Sequence, residues 1–364
     1  MSNPRVPAVK VAGLAKSYGA VEALKGIDLE VAAGEYFVLL GPSGGGKTTL
    51  LRLIGGFIRP TRGELFLHGR DVSALPPDRR PTSMVFQSYA LFPHMSVAQN
   101  VGYGLRIKKL PKEEIRDKVD AMLDMVGLAS LGARQPHELS GGQQQRVQLA
   151  RSLVLERDIL LLDEPLAALD AKLRKDMCIE LKHLQEKIGI TFVHVTHNQE
   201  EAMTVADRIA VIADGELIEA GTAKQIYENP ERRFTADFIG ENNIFESTVT
   251  AVSGTTVHVE LGAREISVPR REIDVKKGAR VWLSIRSELL DVRPDDEEPS
   301  VGWEMLDGTY LEKVYLGLVS SHMVSLKDGR VVNIRKVSGG DMEFKPGRPV
   351  CVGWRRDDAR LYLL

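Results

Sequence analysis

The chain has 364 residues, which is long for one typical domain, so we expect two domains. A formal net charge of −2 argues against a surface built to bind nucleic acid. Cys178 and Cys351 cannot form a disulfide framework or a metal site, and their isolation is typical of a reducing cytoplasm. No run of about 18 apolar residues could span a bilayer, and residues 1–5 lead into no signal-peptide core. Any membrane role is therefore expected to come through a partner.

The first elements along the chain have the alternation of antiparallel strands. Apolar and polar side chains alternate at residues 9–11, 21–24, 27–31 and 65–67. The short apolar run Tyr36–Leu40 leads straight into a glycine-rich segment, after which residues 48–54 have the pattern of a helix. A strand, a loop and a helix in this order are the context that a phosphate-binding loop requires.

A phosphate-binding loop occupies this position. The pattern G-x-x-x-x-G-K-[ST] is matched by Gly41, Pro42, Ser43, Gly44, Gly45, Gly46, Lys47 and Thr48. Glycines let the backbone approach phosphate closely, and the start of the following helix favours negative charge. We expect Lys47 to hold the β- and γ-phosphates, and Thr48, with Thr49 beside it, to bind the nucleotide and offer its hydroxyl to Mg²⁺. A glycine turn with a chance lysine is the alternative, which the flanking strand and helix disfavour.

An α/β domain is predicted to extend from the start of the chain to about residue 240. Apolar runs typical of buried parallel strands recur at residues 159–162, 191–195 and 209–212. Because helical patterns flank these runs, we expect a parallel sheet covered on both faces. Residues 112–126 have helical periodicity and mixed charges, which predicts a helical subdomain inserted at about residues 88–150.

After a last short helix at residues 234–238, the pattern changes to that of an all-β domain. Short strands separated by turns are predicted at residues 249–252, 256–259, 281–285 and 331–334. Regular short strands with glycine turns indicate a small barrel over residues 241–364. The acidic segment at residues 294–299 is interpreted as a solvated loop between two halves of the barrel, with an acidic partner site as the alternative.

Two acidic residues follow the strand at residues 159–162. Asp163 would bury its charge unless a cation compensates it, and the Mg²⁺ of a bound nucleotide is the candidate cation. Glu164 beside it is the candidate general base for an attacking water. The two residues could instead be the favourable acids of a helix N-terminus, but the phosphate-binding loop upstream favours the catalytic interpretation.

Two polar residues follow other predicted strands. His197 comes after residues 191–195, at the carboxyl end of a parallel strand, where ligands collect in open α/β sheets. Gln87 ends a shorter apolar run, and its amide can coordinate Mg²⁺ and contact water. A lone histidine is more often structural and a lone glutamine more often a loop residue, so neither position is decided by its own pattern.

A second candidate for phosphate binding is the segment Ser140-Gly141-Gly142-Gln143, at the start of a helix predicted at residues 143–155. A serine followed by two glycines is a good helix N-cap with accessible N–H groups, and such a helix start can bind phosphate. Plain helix capping is the structural alternative.

The order of these motifs resembles the ATP-binding cassette (ABC) ATPases. The phosphate-binding loop, the Ser140-Gly141-Gly142-Gln143 segment and the strand ending in Asp163 and Glu164 carry the resemblance, which covers residues 9 to about 240. It implies an α/β P-loop NTPase fold of the RecA-like type, with an antiparallel β subdomain and a helical subdomain. It also implies that Ser140 and its three neighbours act on an ATP held by a second copy of the chain in a head-to-tail homodimer.

The resemblance assigns roles to further residues. In that family, the histidine matching His197 contacts the γ-phosphate and orients the water, and the glutamine matching Gln87 joins the core to the helical subdomain. Tyr18 matches the aromatic residue that stacks on adenine, with packing in a minor core as the alternative. Asp170 resembles the residue that touches the opposite site across the dimer. Asn198 stands where an aspartate is common.

Several classes of nucleotide-binding protein are candidate functions for this chain. Cassette proteins of DNA repair carry a long coiled coil and those of translation carry two cassettes, and this sequence has neither feature. An unrelated P-loop kinase would lack the Ser140-Gly141-Gly142-Gln143 segment. A transport motor is favoured, and the resemblance makes the aromatic-rich residues 89–92 the expected docking surface for a membrane partner.

The C-terminal region resembles the oligonucleotide-binding-like barrel appended to binding-protein-dependent importers, on residues 240–245, 284–288 and 314–317. Ser287 stands where those proteins usually have a proline. Despite the name of the barrel, the net charge and the few aromatic residues argue against nucleic acid as a partner. Residues 240–245 and 352–354 look most like spermidine/putrescine importers, with iron(III), sulfate and sugar importers as alternatives.

The resemblance thus implies the ATP-hydrolysing subunit of a bacterial importer that uses ATP and Mg²⁺. The expected metal-site residues are Thr48, Gln87 and Asp163. Expected partners are a second copy of the chain, two transmembrane permease subunits and a periplasmic or extracellular solute-binding protein that acts through the permease. The expected location is peripheral, at the cytoplasmic face of the inner membrane.

Overall fold

The structure, a computed structural model, describes residues 6–88, 90–271, 273–296, 300–339 and 343–364. Sequence predictions for residues 1–5, for Tyr89 and for residues 297–299 of the acidic segment lie outside the described residues. The chain divides into two units, Met1–Asn229 and Pro230–Leu364. The short helix predicted at residues 234–238 belongs to the second unit, and the functional boundary at residue 240 stays a prediction.

The first unit contains both strands and helices, which alternate over residues 159–213. Its strands are β1 (Val9–Tyr18), β2 (Val21–Val31), β3 (Tyr36–Leu40), β4 (Arg62–Leu67), β5 (Arg70–Asp71), β6 (Thr82–Val85), β7 (Ile159–Asp163), β8 (Thr191–Thr196), β9 (Arg208–Ala213) and β10 (Glu216–Thr222). Its α-helices are α1 (Lys47–Gly55), α2 (Val97–Val101), α3 (Tyr103–Ile107), α4 (Lys112–Met125), α5 (Gly141–Leu153), α6 (Ala171–Ile188), α7 (Gln199–Val205) and α8 (Ala223–Glu228).

The central sheet of the first unit has the strand order β10-β9-β3-β8-β7-β6. Five of its strands run parallel, and β10 pairs antiparallel with β9 at the edge. Every residue of β3, β7 and β8 is buried, as expected of apolar runs in a sheet covered on both faces. The register places Leu40 beside Thr196, and Asp163 beside Val195. The loops that follow these three strands therefore start from the same edge of the sheet.

A second, antiparallel sheet has the order β2-β1-β4-β5. Residues 21–24 and 27–31, predicted as two strands, form the single strand β2, so that prediction of a break was wrong. Gly26 lies between the two segments with a φ of 93°, and the pairing of β2 with β1 skips this residue. A glycine at positive φ allows a bulge there without ending the strand.

The inserted region predicted at about residues 88–150 contains the helices α2 to α5. They surround an apolar cluster that includes Val101, Val119, Leu123 and Val147. Val119 and Leu123 lie four residues apart on the buried face of α4, which accounts for the mixed pattern of that helix. Helices α2 and α3 were not predicted, because elements of five residues are too short to show a helical period.

Within the part of it that the structure describes, the second unit is all-β except for one short α-helix and two 3-10 turns. Its elements are α9 (Arg233–Phe238), β11 (Asn242–Ser253), β12 (Thr256–Leu261), β13 (Arg264–Pro269), β14 (Arg280–Arg286), β15 (Asp291–Pro294), β16 (Trp303–Tyr315), β17 (Val319–Leu326), β18 (Val331–Val337), β19 (Pro349–Arg355) and β20 (Arg360–Leu363). They form two five-stranded antiparallel sheets of order β13-β12-β11-β14-β20 and β15-β19-β16-β17-β18. Side chains of both sheets, such as Leu283 and Trp354, share one apolar core.

The acidic segment begins where β15 ends at Pro294, and Asp295 and Asp296 after it are exposed in a turn.

In the described part of the chain, no helix combines the length and the apolar character needed to cross a membrane.

Candidate nucleotide-binding and hydrolysis site

The phosphate-binding loop joins β3 to α1 and is packed so tightly that a side chain would clash at several positions, Gly41 and Gly46 among them. A Cβ on Gly41 would lie 1.9 Å from the carbonyl oxygen of Ile212. A Cβ on Gly46 would lie 2.7 Å from the carbonyl oxygen of Ala23, and its φ of 103° is unfavourable for other residues. Without side chains at these positions the backbone can approach a phosphate closely, as a phosphate cradle requires.

Lys47 lies inside this loop, in the first turn of α1. Its Nζ donates hydrogen bonds to the carbonyl oxygens of Gly41 at 2.8 Å and Pro42 at 2.7 Å. Burial lowers the pKa of Lys47, and the nearby carboxylates of Glu164 and Asp163 act in the opposite direction. The ammonium group is thus held over the loop, where phosphate oxygens would lie.

Asp163 ends β7 as a buried carboxylate, with a side chain that the Thr48 hydroxyl reaches at 3.0 Å. Burial raises the pKa of Asp163, and the hydrogen bond from Thr48 and the charge of Arg52 only oppose that effect. A hydroxyl oxygen beside an under-compensated buried carboxylate is the kind of ligand pair that a hard cation such as Mg²⁺ prefers. Among the described residues, no group of three or more His, Cys, Asp or Glu could hold a metal alone, so further ligands would have to come from other side chains, the nucleotide or water.

Glu164 occupies the centre of the candidate site. Its Oε2 accepts a hydrogen bond of 3.1 Å from Nε2 of Gln87, and its Oε1 lies 3.2 Å from Nδ1 of His197. Its φ of 45° is rare for a residue other than glycine, and such strain is typical of functional positions. The three residues come from separate parts of the chain, and the fold brings their side chains together on the carboxyl edge of the sheet.

The turn after β8 presents His197 to Glu164. His197 is exposed, whereas the preceding Thr196 is buried. Asn198 caps α7 by accepting a hydrogen bond from the N–H of Glu201 at 3.0 Å. Either an asparagine or an aspartate can supply this cap, so the unusual asparagine leaves the turn intact.

Gln87 lies two residues beyond β6 and is exposed. The segment around it is held by Gln148 of α5, whose Nε2 donates to the carbonyl oxygens of Phe86 at 2.9 Å and Ser88 at 3.1 Å. Sequence reasoning missed Gln148, although a glutamine on the buried face of a helix is a signal worth following. The helix that begins at Ser140 is therefore connected directly to the Gln87 segment.

Residues 90–92, next along the chain, are less exposed than the prediction of an aromatic docking surface implies. The Phe92 ring lies 4.5 Å from that of Tyr103 and beneath the guanidinium of Arg151. Among the described residues here, Phe57 and Phe86 are exposed aromatic side chains, and their rings meet edge to face at 5.5 Å.

Tyr18 ends β1 with a side chain that is 51% exposed. The alternative of packing in a minor core is therefore wrong. The Nζ of Lys16 lies 5.0 Å from the centre of the ring, so the ring remains partly open to a flat apolar partner.

Ser140 and Asp170 are both exposed helix caps. The Ser140 hydroxyl accepts a hydrogen bond from the N–H of Gln143, and Oε1 of Gln143 accepts one of 3.0 Å from the N–H of Ser140. Asp170 accepts a hydrogen bond of 3.0 Å from the N–H of Leu173 in α6. A Cβ on Gly142 would lie 3.3 Å from the Leu173 side chain, so the two caps belong to neighbouring helix starts. In the described residues, neither cap is hydrogen-bonded to Glu164 or to the phosphate-binding loop.

Comparison with known proteins identifies the family of the chain. A model of the ABC transporter family matches residues 24–167, and a model of the TOBE domain matches residues 283–361. The chain is 46% identical to the spermidine/putrescine import ATP-binding protein of Roseobacter denitrificans, over 99% of both chains. It is 46% identical to the protein of that name from Ruegeria pomeroyi, over 94% of this chain and 92% of the relative. The chain belongs to the ATP-binding proteins of ABC transporters.

Two solved structures show how far the likeness in fold extends. The protein cbiO1 of Clostridium perfringens, part of an ABC transporter complex, has a TM-score of 0.57 and 33% identity, covering 60% of this chain and 90% of that one. A dimeric ATP-binding cassette bound to ADP and Pi has a TM-score of 0.53 and 34% identity, covering 59% of this chain and 98% of that one. The predicted P-loop fold, the C-terminal all-β barrel-type domain and the ATPase activity are thereby confirmed, and the chain binds ATP.

Proposed function

We propose that the chain is the motor subunit of a bacterial polyamine importer, which hydrolyses ATP to drive the uptake of spermidine and putrescine. The observation that carries the solute class is the identity of 46% to spermidine/putrescine import proteins over nearly the full length, including the C-terminal domain. Relatives from Thermobifida fusca and Pseudomonas aeruginosa, at 44% identity, are spermidine/putrescine import ATP-binding proteins as well. Iron(III), sulfate and sugar uptake are the alternative outcomes of the test below.

We propose that the nucleotide binds along the phosphate-binding loop and against Tyr18. Residues that would line its phosphates and base are Tyr18, Gly41, Pro42, Ser43, Gly44, Gly45, Gly46, Lys47, Thr48 and Thr49. Thr48, Asp163 and Gln87 would hold Mg²⁺, which when bound neutralises charge on the phosphate oxygens. The buried position of Asp163 beside the Thr48 hydroxyl supports this assignment.

We propose that Glu164 is the general base. A carboxylate that lies between Gln87 and His197 can accept a proton from a water held by the same two side chains. His197 then orients the water and contacts the γ-phosphate, and Lys47 stabilises the negative charge that develops on the transferred phosphoryl group. The ammonium group of Lys47 is already held in place by two carbonyl oxygens, which supports that role, because a preorganised charge needs no reorientation during the reaction.

We propose that the active form is a homodimer with composite sites. Ser140, Gly141, Gly142 and Gln143 would bind the phosphates of an ATP held by the second copy, and Asp170 would contact the same opposite site. The exposure of both helix caps, together with their position on neighbouring helix starts, supports a surface that meets a second chain. Formation and opening of the dimer would then be linked to binding and hydrolysis.

Further proposed partners are two permease subunits and a solute-binding protein that acts through them. The chain would be peripheral, at the cytoplasmic face of the inner membrane. The exposed Phe57 and Phe86 pair, beside Gln87, is the surface that best suits a permease contact. Movement of the Gln87 segment with α5 through Gln148 would connect hydrolysis to the permease. Nucleic acid is not among the proposed partners.

The test is solute-stimulated ATP hydrolysis in liposomes that contain the chain, its permease and its binding protein. Spermidine or putrescine should raise the rate of phosphate release, and labelled spermidine should accumulate inside only when ATP is present with the motor. The Glu164→Gln variant is the control for hydrolysis-driven uptake. Stimulation by iron(III), sulfate or a sugar, without stimulation by either polyamine, would refute the proposed solute.

A further inference from the structure

Beneath His197, a cluster of buried polar side chains connects the end of β8 with the start of α6. Its centre is Glu201 in the first turn of α7, whose side chain is only 5% exposed. A carboxylate at such a depth is tolerated only when hydrogen bonds and charges compensate it. The partners of Glu201 therefore indicate what it does.

One oxygen of Glu201 fixes the turn that carries His197. The hydroxyl of Thr196 donates to Oε2 of Glu201 at 2.6 Å, and the same hydroxyl oxygen accepts from the N–H of Asn198 at 2.9 Å. The side chain of Asn198 accepts in turn from the N–H of Glu201 at 3.0 Å. His197 is the residue between Thr196 and Asn198, so the residues on both sides of it are held by the Glu201 cluster.

The other oxygen of Glu201 faces α6. Its Oε1 lies 3.5 Å from Nε of Arg174, and Nη2 of Arg174 donates to the carbonyl oxygen of Leu169 at 2.8 Å. Leu169 immediately precedes Asp170, whose own carbonyl oxygen accepts from the N–H of Arg174 at 2.9 Å. Arg174 therefore ties the segment that carries Asp170 to the carboxylate that holds the His197 turn.

Two side-chain nitrogen atoms in this cluster are buried, make no hydrogen bond within the described residues, and face Glu201. They are Nε of Arg174, at 3.5 Å, and Nε2 of His194, at 3.8 Å. Burial lowers the pKa of His194 to about 3, so its ring is neutral and Arg174 supplies the positive charge on this side. Both distances are slightly longer than a hydrogen bond, so a small shift of α6 or of Glu201 would close one of them.

We propose that Glu201 is a positioning residue for His197, and that Arg174 couples the position of His197 to that of the Asp170 segment. The inference rests on the proposed function, in which His197 orients the water and Asp170 meets the second copy. A displacement of the Asp170 segment on dimerisation is then passed through the Leu169 carbonyl, Arg174 and Glu201 to Thr196. Neither Glu201 nor Arg174 needs to touch the nucleotide for this to affect hydrolysis.

The first test compares Thr196→Val with Thr196→Ser in the full-length protein. Valine keeps the shape of threonine but removes the hydroxyl that links Glu201 to Asn198, whereas serine keeps the hydroxyl. For Thr196→Val we expect kcat for ATP to fall on the order of ten- to a hundredfold with KM unchanged, because His197 is misplaced while the binding loop is intact. Thr196→Ser should remain close to wild type. Equal kcat in all three proteins, measured well below their melting temperatures, would overturn the proposal.

The second test asks whether the effect passes through His197. In a His197→Ala background, Thr196→Val should cause no further loss in the residual single-turnover rate, because the residue to be positioned is gone. A merely structural role for Thr196 would lower that residual rate by the same factor as in the wild type, and this result would contradict the inference.

The third test addresses the link to α6 with a variant that leaves the buried turn untouched. Arg174→Met should lower kcat in the same way as Thr196→Val, and Lys175→Met, a change of the exposed neighbouring cation, should leave it unchanged. If His197→Ala hydrolyses ATP at the wild-type rate, the proposed function of His197 fails. If His197→Ala is inactive while Arg174→Met and Thr196→Val are both as active as wild type, only the positioning inference fails.

Discussion

The hydroxyl of Thr48 donates a hydrogen bond of 3.0 Å to the carboxylate of Asp163, although 115 positions separate the two residues. Thr48 lies in the first turn of α1, and Asp163 is the last residue of β7. Burial raises the pKa of Asp163, so its ionised form is disfavoured in the folded protein. The hydrogen bond from Thr48 thus holds the Asp163 carboxylate in a buried position where its negative charge opposes folding. Such an arrangement is common for groups that bind ligands.

Asp163→Asn is therefore expected to stabilise the nucleotide-free protein while it abolishes ATP hydrolysis. A carboxyl whose folded pKa is raised contributes stability at low pH and loses that contribution as the pH rises through the folded pKa, so at neutral pH its ionised form opposes folding. Removing the charge should raise the free energy of unfolding by about 1 kcal/mol, or Tm by roughly 2–4 °C. Thermal unfolding at pH 7, without nucleotide, measures this change.

The effect of Mg²⁺ and ATP on Tm provides a control for the Asp163→Asn variant. Mg²⁺ with ATP should raise the Tm of the wild type but have a much smaller effect on Asp163→Asn, because the variant lacks the carboxylate proposed for the metal. At pH 4, the gain in stability from the substitution should shrink. A variant that is less stable than wild type at pH 7, with normal Mg²⁺ dependence, would contradict the assignment of Asp163.

Glu164→Gln should bind ATP and fail to hydrolyse it. The amide keeps the size of the side chain and can still contact Gln87 and His197, but it cannot accept a proton from water. We expect kcat to fall by about 10²–10⁴-fold with little change in nucleotide affinity. Phosphate release and binding of a fluorescent ATP analogue measure the two quantities, and Glu200→Gln, which changes an exposed acid of α7, is the matched control. Wild-type hydrolysis by Glu164→Gln would show that the base is another residue.

Much of the nucleotide-binding unit could be predicted from the sequence because its signals are local. Tyr36–Leu40 is a continuous apolar run, and the glycines after it have no other reason to cluster. Three further buried strands and the helix α4 were predicted within a few residues of their observed ends. The antiparallel pairing of β10 at the edge of the central sheet was not predicted, because residues 216–222 are mostly partly exposed and carry no clear period.

Contacts between distant segments could not be predicted from the same patterns. Nothing in the sequence near Gln148 indicates that its amide holds the carbonyls on both sides of Gln87. Glu201 looks like an ordinary acid in the first turn of a helix, and only the fold brings it between Thr196 and Arg174. Side-chain networks depend on the relative position of whole elements, and a single sequence contains no direct signal for that position.

Substitution of Tyr18 tests the proposed adenine site independently of the hydrolysis step. Tyr18→Ala should weaken ATP binding by about 1–3 kcal/mol, the usual range for loss of a base-stacking ring, with kcat unchanged at saturating ATP. Tyr18→Phe should bind ATP almost as well as the wild type, because the ring rather than the hydroxyl makes the contact. Tyr103→Ala, which removes a ring from the helical region, is the control. Equal affinity in Tyr18→Ala and wild type would place the adenine elsewhere.

Composite sites can be tested with two chains that are each inactive as homodimers. Ser140→Arg blocks the segment offered to the partner, and Lys47→Ala removes the ammonium held over the chain's own phosphate-binding loop. In the mixed dimer, one site combines an intact loop from the first chain with an intact Ser140 from the second. Random pairing makes about half of the dimers mixed with one of two sites intact, so about a quarter of wild-type activity is expected if the sites act independently. ATP hydrolysis should rise when the two variant chains are mixed. It should be absent from a chain that carries both substitutions. Mixtures that stay inactive at every ratio, although heterodimers are detected, would mean that each ATP is bound and hydrolysed within one chain.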